Sequence, residues 1–228
     1  MRLLVGDGDP ATPEGLRALY EPPRLPWVRA NMVSSIDGAA TGSDGRSGTV
    51  NNAVDVDVFH ILRDLADVVL VGVGTAEVER YAEIDMPTVV VSGRGRIPET
   101  LRGCAPGAVR LATVASAPGL AAAQAEIGEA NVYIAGKHEL DVATLIQQLQ
   151  QDGLNHVLCE GGPTLLSSLL RAGVVDELCH TITPGLLGGD SRRIVAGPAM
   201  DVPASLTSLV EHEGTLLHRW RIDQRSSS

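Results

Sequence analysis

The chain of 228 residues is short of cysteine, aromatics and lysine, and each shortage excludes a class of protein. Cys104, Cys159 and Cys179 are odd in number and far apart, with no C-x-x-C pair. That argues against a disulfide framework or a zinc site and fits a reducing, cytoplasmic compartment. Aromatic residues make up 3%, too few for base-stacking platforms. The 17 arginines are spread along a chain of net charge −10, which leaves no basic footprint for nucleic acid. Lys137 is the single lysine, and His138 follows it where a P-loop needs Ser or Thr. No apolar run approaches the ~20 residues that cross a bilayer. The first ten residues turn acidic too early for the apolar segment of a signal peptide. The six histidines are scattered without metal-ligand spacing. An H-x-E followed by P-C-x-x-C is missing, which excludes a zinc deaminase.

What remains is an ordinary globular composition, with 44% hydrophobic and 20% charged residues. Residues 1–26 are punctuated by Pro10, Pro13, Pro22, Pro23 and Pro26, carry one short helical candidate at Glu14–Tyr20, and are expected to form an arm appended to the domain. Residues 27–225 are expected to form one α/β domain. Apolar runs at 27–33, 67–72, 88–92, 108–114, 131–135, 156–160 and 175–183 predict strands. Helical spacing at 54–65, 120–128, 141–151 and 164–172 places helices between most of them. Alternation of this kind implies crossovers and a largely parallel sheet. Residues 206–211 and 215–222, turning near Gly214, predict an antiparallel hairpin at one edge.

Ligands of open parallel sheets bind beyond the carboxyl ends of the strands. Three such ends carry glycine-rich turns here. Gly72-Val73-Gly74-Thr75 is either a tight turn or a close approach to an anion, with Thr75 as a donor. Glu160-Gly161-Gly162-Pro163-Thr164 joins a strand to a helix. Pro163 suits the first helical turn, and the two glycines leave the helix start open to a phosphate. Ser92-Gly93-Arg94-Gly95-Arg96 offers arginines where a 2′-phosphate would lie, which favours NADP over NAD; a solvated arginine pair is the alternative. Residues 34–52 predict a long functional loop. In it, Asp37 before Gly38 is a turn residue or an acid facing substrate. Arg63 holds a substrate phosphate or balances the C-terminal end of its own helix.

Taken together, NMVSSIDGAA, HILRDLADVVLVGVGTAEVERY, VLCEGGPTLLSSLL and VDELCHTITPGLLGG resemble the pyrimidine reductase half of the bacterial riboflavin-synthesis deaminase/reductase. The resemblance spans about residues 27–189. It implies a dihydrofolate reductase-like fold, a homodimer, and NADPH-dependent reduction of a pyrimidine ribosylamine 5′-phosphate from ribosyl to ribityl. By position it implies cofactor contacts from Val33, Thr49, Thr75, Glu79, Ser92 and the segment from Gly162 through Pro163 and Thr164 to Ser168. It implies substrate contacts from Ser47, Arg63 and Glu160. Glu160 and Asp37 are the acids that would stabilise an iminium or relay a proton. Asn31 stands where the family usually has Lys, Thr49 near its usual Trp, and Glu79-Arg80-Tyr81 where Asp-Asp-Pro is common. The alternatives are a dihydrofolate or pterin reductase on the same fold, and an NADPH-binding protein without turnover.

Overall fold

A computed structural model describes residues 1–81 and 86–223. In chain order the strands and helices are β1 Arg2–Val5, α1 Pro13–Tyr20, β2 Trp27–Ser35, α2 Ala53–Leu65, β3 Val68–Gly72 and α3 Val73–Val78. There follow β4 Thr88–Val91, β5 Val109–Thr113, α4 Leu120–Ile127, β6 Val132–Ile134, α5 Val142–Gln151 and β7 His156–Cys159. The chain closes with α6 Pro163–Arg171, β8 Glu177–Thr183, β9 Ala204–His212 and β10 Thr215–Ile222. The helices start where local chemistry starts them. Thr12, Asn52 and Asp141 accept backbone N–H bonds as N-caps of α1, α2 and α5. Pro13 and Pro163 occupy first-turn positions.

All ten strands form one sheet in the order β1-β9-β10-β8-β2-β7-β3-β4-β5-β6. The pairs from β8 to β6 are parallel, and those from β1 to β8 are antiparallel. Strand alternation separates two cores. Val68 and Leu70 face Leu145, Leu149, Leu166 and Leu169, while Val69 and Val71 face Val58, Leu62 and Ala76. The chain runs outward from β3 to β6 and then returns, inserting β7 between β3 and β2. That reversal opens a crevice at the carboxyl ends of β2, β7 and β3. No helix among the described residues is long and apolar enough to cross a membrane.

The proline-rich arm is not an appendage. β1 pairs with β9, setting Arg2 against Glu211 and Leu3 against Val210. Leu16, Leu19 and Tyr20 are buried in the same core as Val58 and Leu62. Their i, i+3, i+4 spacing is the apolar face of the short helix expected at Glu14–Tyr20, and that face docks it on the core. Beneath α1, Glu177 is 2% exposed and lies between Arg29, fully buried, and Arg219. Arg29 Nε donates to Glu177 Oε2, and Arg219 Nη2 reaches Oε1 at 2.6 Å. Arg29 Nη2 also donates to the Tyr20 carbonyl at 2.7 Å, which ties the arm to the sheet.

Removing one partner of a buried ion cluster leaves uncompensated charge, at a cost of about 3–5 kcal/mol. Glu177→Gln is therefore expected to lower the urea midpoint by an amount equivalent to about 3 kcal/mol or more, at an unchanged slope. A midpoint equal to wild type would show that the cluster contributes nothing net.

Candidate active site

The crevice is a cleft of about 1450 Å³. Its walls come from the end of β2, the 40–51 loop, α2, the β3–α3 turn, the β7–α6 turn and residues 190–192. Gly72 and Gly162 meet at its base. The Gly72 N–H donates to the Gly161 carbonyl at 2.8 Å, and a Cβ on Gly72 would stand 3.4 Å from the Gly162 nitrogen. A Cβ on Gly162 would fall 2.4 Å from Thr75 Oγ1. Gly161 has φ +85°, a conformation that favours glycine. Gly162 is the N-cap of α6 and offers no side chain to it. The first N–H groups of α6 are therefore uncapped beside Thr164 and the Gly74-Thr75 turn, all on the cleft wall. An open helix start between close-packed glycines fits the pyrophosphate of a dinucleotide.

Glu160 stands at the tip of β7, with its side chain 4% exposed. Arg63, from the last turn of α2, grips it with two bonds, Nε to Oε1 at 2.7 Å and Nη2 to Oε2 at 2.8 Å. This fork is the strong geometry for guanidinium and carboxylate. The Tyr81 hydroxyl donates to Oε2 as well. The Arg63 guanidinium lies 4.3 Å from the Phe59 ring centre and 5.5 Å from that of Tyr81. Burial, and then the Glu160 charge, raise the Tyr81 hydroxyl well above its ordinary pKa, so it stays a donor. Burial works against the Arg63 charge, but bonding to Glu160 outweighs it and raises the guanidinium pKa. The neighbouring thiol of Cys159 is pushed up to about 12 by burial and stays protonated.

The fold thus brings Val33, Ser47, Arg63, Gly72, Gly74, Thr75, Glu79, Glu160, Gly162, Pro163 and Thr164 to one cleft. Arg63 reaches the cleft with its Nε and Nη2 engaged by Glu160. Glu79 accepts the Ser47 N–H at 2.7 Å and so ties the loop to the end of α3. Asp37, Thr49, Ser92 and Arg94 lie off the cleft wall. Asp37 accepts bonds from the Ser35 hydroxyl and from the Leu187 and Gly188 amides. It ties the end of β2, through Ser35, to the loop after β8. Thr49 donates to Asp44 at 2.9 Å and fills the space beside Gly42. Ser92 is buried, and its hydroxyl accepts the Arg96 N–H at 3.0 Å. Arg96 pairs with Glu77 at 2.9 Å, while Arg94 is exposed on the same loop. Tyr81 and Asp55 line the cleft without having been singled out in the sequence. Tyr81 has no local signal. Asp55 has one, as an acid on the same helix face as Val58 and Leu62.

The Ser35 hydroxyl and then the Gly188 and Leu187 amides hold Asp37 down at about 2. A carboxylate depressed in the folded state stabilises above its ordinary value, about 4, and loses that contribution as pH falls through its folded value. The melting-temperature gap between wild type and Asp37→Asn is expected to be constant above about pH 5 and to close towards pH 2. A gap that persists undiminished in acid would exclude the carboxylate clamp.

Comparison with known proteins identifies the family. The family model for the RibD C-terminal domain matches residues 26–217. The chain is 32% identical over 196 residues to the 2,5-diamino-6-ribosylamino-4(3H)-pyrimidinone 5′-phosphate reductase of Methanothermobacter thermautotrophicus, covering 81% of this chain and 90% of the relative. It is 26% identical to the riboflavin biosynthesis protein RibD of Escherichia coli, covering 83% of this chain and 58% of that one. In fold it is similar to a pyrimidine reductase-like protein from Corynebacterium diphtheriae, with TM-score 0.77 and 21% identity over 87% of this chain and 92% of that one. On the match of its sequence to the family model, the chain belongs to the RibD C-terminal domain family.

Proposed function

We propose that the protein is an NADPH-dependent reductase acting on a pyrimidine ribosylamine 5′-phosphate, converting the ribosyl group to ribityl. The observation that carries this reading is one cleft holding both an open helix start between Gly72 and Gly162 and the Glu160–Arg63–Tyr81 cluster. The first suits a dinucleotide, and the second suits a charged sugar. The dinucleotide, when bound, supplies the hydride that reduces C1 of the opened sugar imine.

The chain supplies position and field. The α6 amides, with Gly74 and Thr75, hold the pyrophosphate. Arg94, exposed in the loop after β4, is a cation offered to a 2′-phosphate and supports NADPH over NADH. Glu160 places negative charge where the imine nitrogen gains positive charge, and Arg63 and Tyr81 keep that carboxylate in one rotamer. The Arg63 Nη1 is not engaged by Glu160 and is left for the substrate phosphate. Ser47, held through its amide by Glu79, presents its hydroxyl from the facing loop. The buried thiols of Cys159 and Cys179 suit the cytoplasm. Exposed Ile36, Leu186 and Leu187 offer an apolar surface for a second copy, so we take the enzyme to be a homodimer.

NADPH oxidation by the purified protein is expected with a pyrimidine ribosylamine 5′-phosphate and not with dihydrofolate. The reverse result would move the substrate to a pterin. Glu160→Gln should lower kcat by about tenfold to a hundredfold with little change in NADPH affinity. Equal kcat would remove Glu160 from the reaction. Gly162→Ala should weaken NADPH binding by more than about tenfold, read by fluorescence titration, because the new methyl group collides with Thr75. Unchanged binding would place the cofactor elsewhere.

A further inference from the structure

Arg80 has a left-handed backbone, with φ +55°. Residues with side chains seldom adopt that conformation, because Cβ then crowds the backbone. Glu213 is the other non-glycine residue with positive φ among those described, and with Gly214 it turns the β9–β10 hairpin. Arg80 instead follows the end of α3. Its N–H donates to the Glu77 carbonyl at 3.3 Å, and the Tyr81 N–H donates to the Ala76 carbonyl at 3.0 Å. These two bonds form a Schellman closure, whose left-handed residue is usually glycine. The closure aims both neighbours of Arg80 at the substrate side of the cleft. Glu79 accepts the Ser47 N–H, and the Tyr81 hydroxyl donates to Glu160. Between them Arg80 lies on the cleft wall, exposed and without an ion-pair partner among the described residues.

The charge of the wall makes that cation useful. Asp55, Glu79, Glu160 and Asp190 are its acids. Against them stand Arg63, Arg80 and Arg192, and the charge of Arg63 is met by Glu160. A phosphate dianion entering such a cleft, in a chain of net charge −10, is repelled unless an uncommitted cation meets it. Arg192 stands on a segment whose backbone is tied to Ala40, in the loop after β2. Arg80, by contrast, is bracketed by the residues that hold Ser47 and Glu160. We propose that Arg80 is a phosphate-specificity residue, whose guanidinium joins Arg63 Nη1 and the Ser47 hydroxyl on the substrate's 5′-phosphate. This inference rests on the reductase reading above and adds a residue to its substrate site. Glycine at position 80 would relieve the backbone and lose the fork that fits phosphate oxygens, so the strain accompanies a function.

The test is Arg80→Gly, which separates folding from binding. Its melting temperature should equal or exceed that of wild type, because glycine takes the left-handed turn without strain. Its KM for the pyrimidine ribosylamine 5′-phosphate should rise by about tenfold to a hundredfold, with KM for NADPH unchanged. Arg80→Lys keeps the charge without the fork and should recover part of the loss. On the ribosylamine that lacks the phosphate, wild type and Arg80→Gly should have equal kcat/KM. An unchanged KM for the phosphorylated substrate, equal losses on both substrates, or a loss of NADPH affinity instead would overturn the assignment. Should wild type reduce neither substrate, the reductase reading fails by itself. Calorimetry with ribose 5-phosphate and with ribose then decides the role of Arg80. Binding of ribose 5-phosphate, in preference to ribose, that weakens by about tenfold or more in Arg80→Gly sustains it. Equal binding of ribose 5-phosphate by the two proteins, or none by either, overturns it.

Discussion

Glu177, buried between Arg29 and Arg219, is the interaction on which the rest of the molecule depends. It sits where the parallel strands β2 and β8 meet the antiparallel β10. Three charges away from water are tolerable only while each has its partner, because an isolated ion at that depth would cost several kcal/mol. The cluster therefore holds strands from both halves of the sheet, and through Tyr20 the N-terminal helix, in one arrangement. The ends of β2 and β8 are the strand ends that present Asn31 and Thr181 to α2.

Within the cleft, two carboxylates have opposite circumstances. Glu160 is engaged by Arg63 and Tyr81, so its carboxylate is fixed in place. Such a group can hold a field steady while a neighbouring atom changes charge. Asp55 is buried near Thr181, and its Oδ1 has no hydrogen-bond partner among the described residues. The glycine contact between the β3–α3 and β7–α6 turns provides the third ingredient, a stretch of bare backbone that an anion can approach.

Much of this was legible in the residues. The buried strands read as continuous apolar runs, and α2, α5 and α6 as helices with one apolar face. The glycine turns, Arg63 and Glu160 were recognisable because backbone chemistry and charge at strand ends are local signals. The N-terminal arm was not, because prolines suggested an independent segment while Leu16, Leu19 and Tyr20 were already arranged for burial. Asp37 and Ser92 stood in the right motifs, but Ser92 closes its own loop and Asp37 holds the distant loop after β8. Nothing local distinguishes an acid that clamps a turn from one that faces a ligand.

By itself the sequence determined the order of strands and helices from β2 onward, the parallel character of the sheet and the glycine-rich strand ends, since each depends on periodicity or on backbone freedom within a few residues. Only the tertiary structure decided the partners. Tyr81 and Arg63 meet Glu160 across 79 and 97 positions of chain, and Thr181 reaches Asp55 from another strand. Whether a carboxylate is neutralised, clamped or left wanting depends on what the fold packs against it, and that contact is long-range.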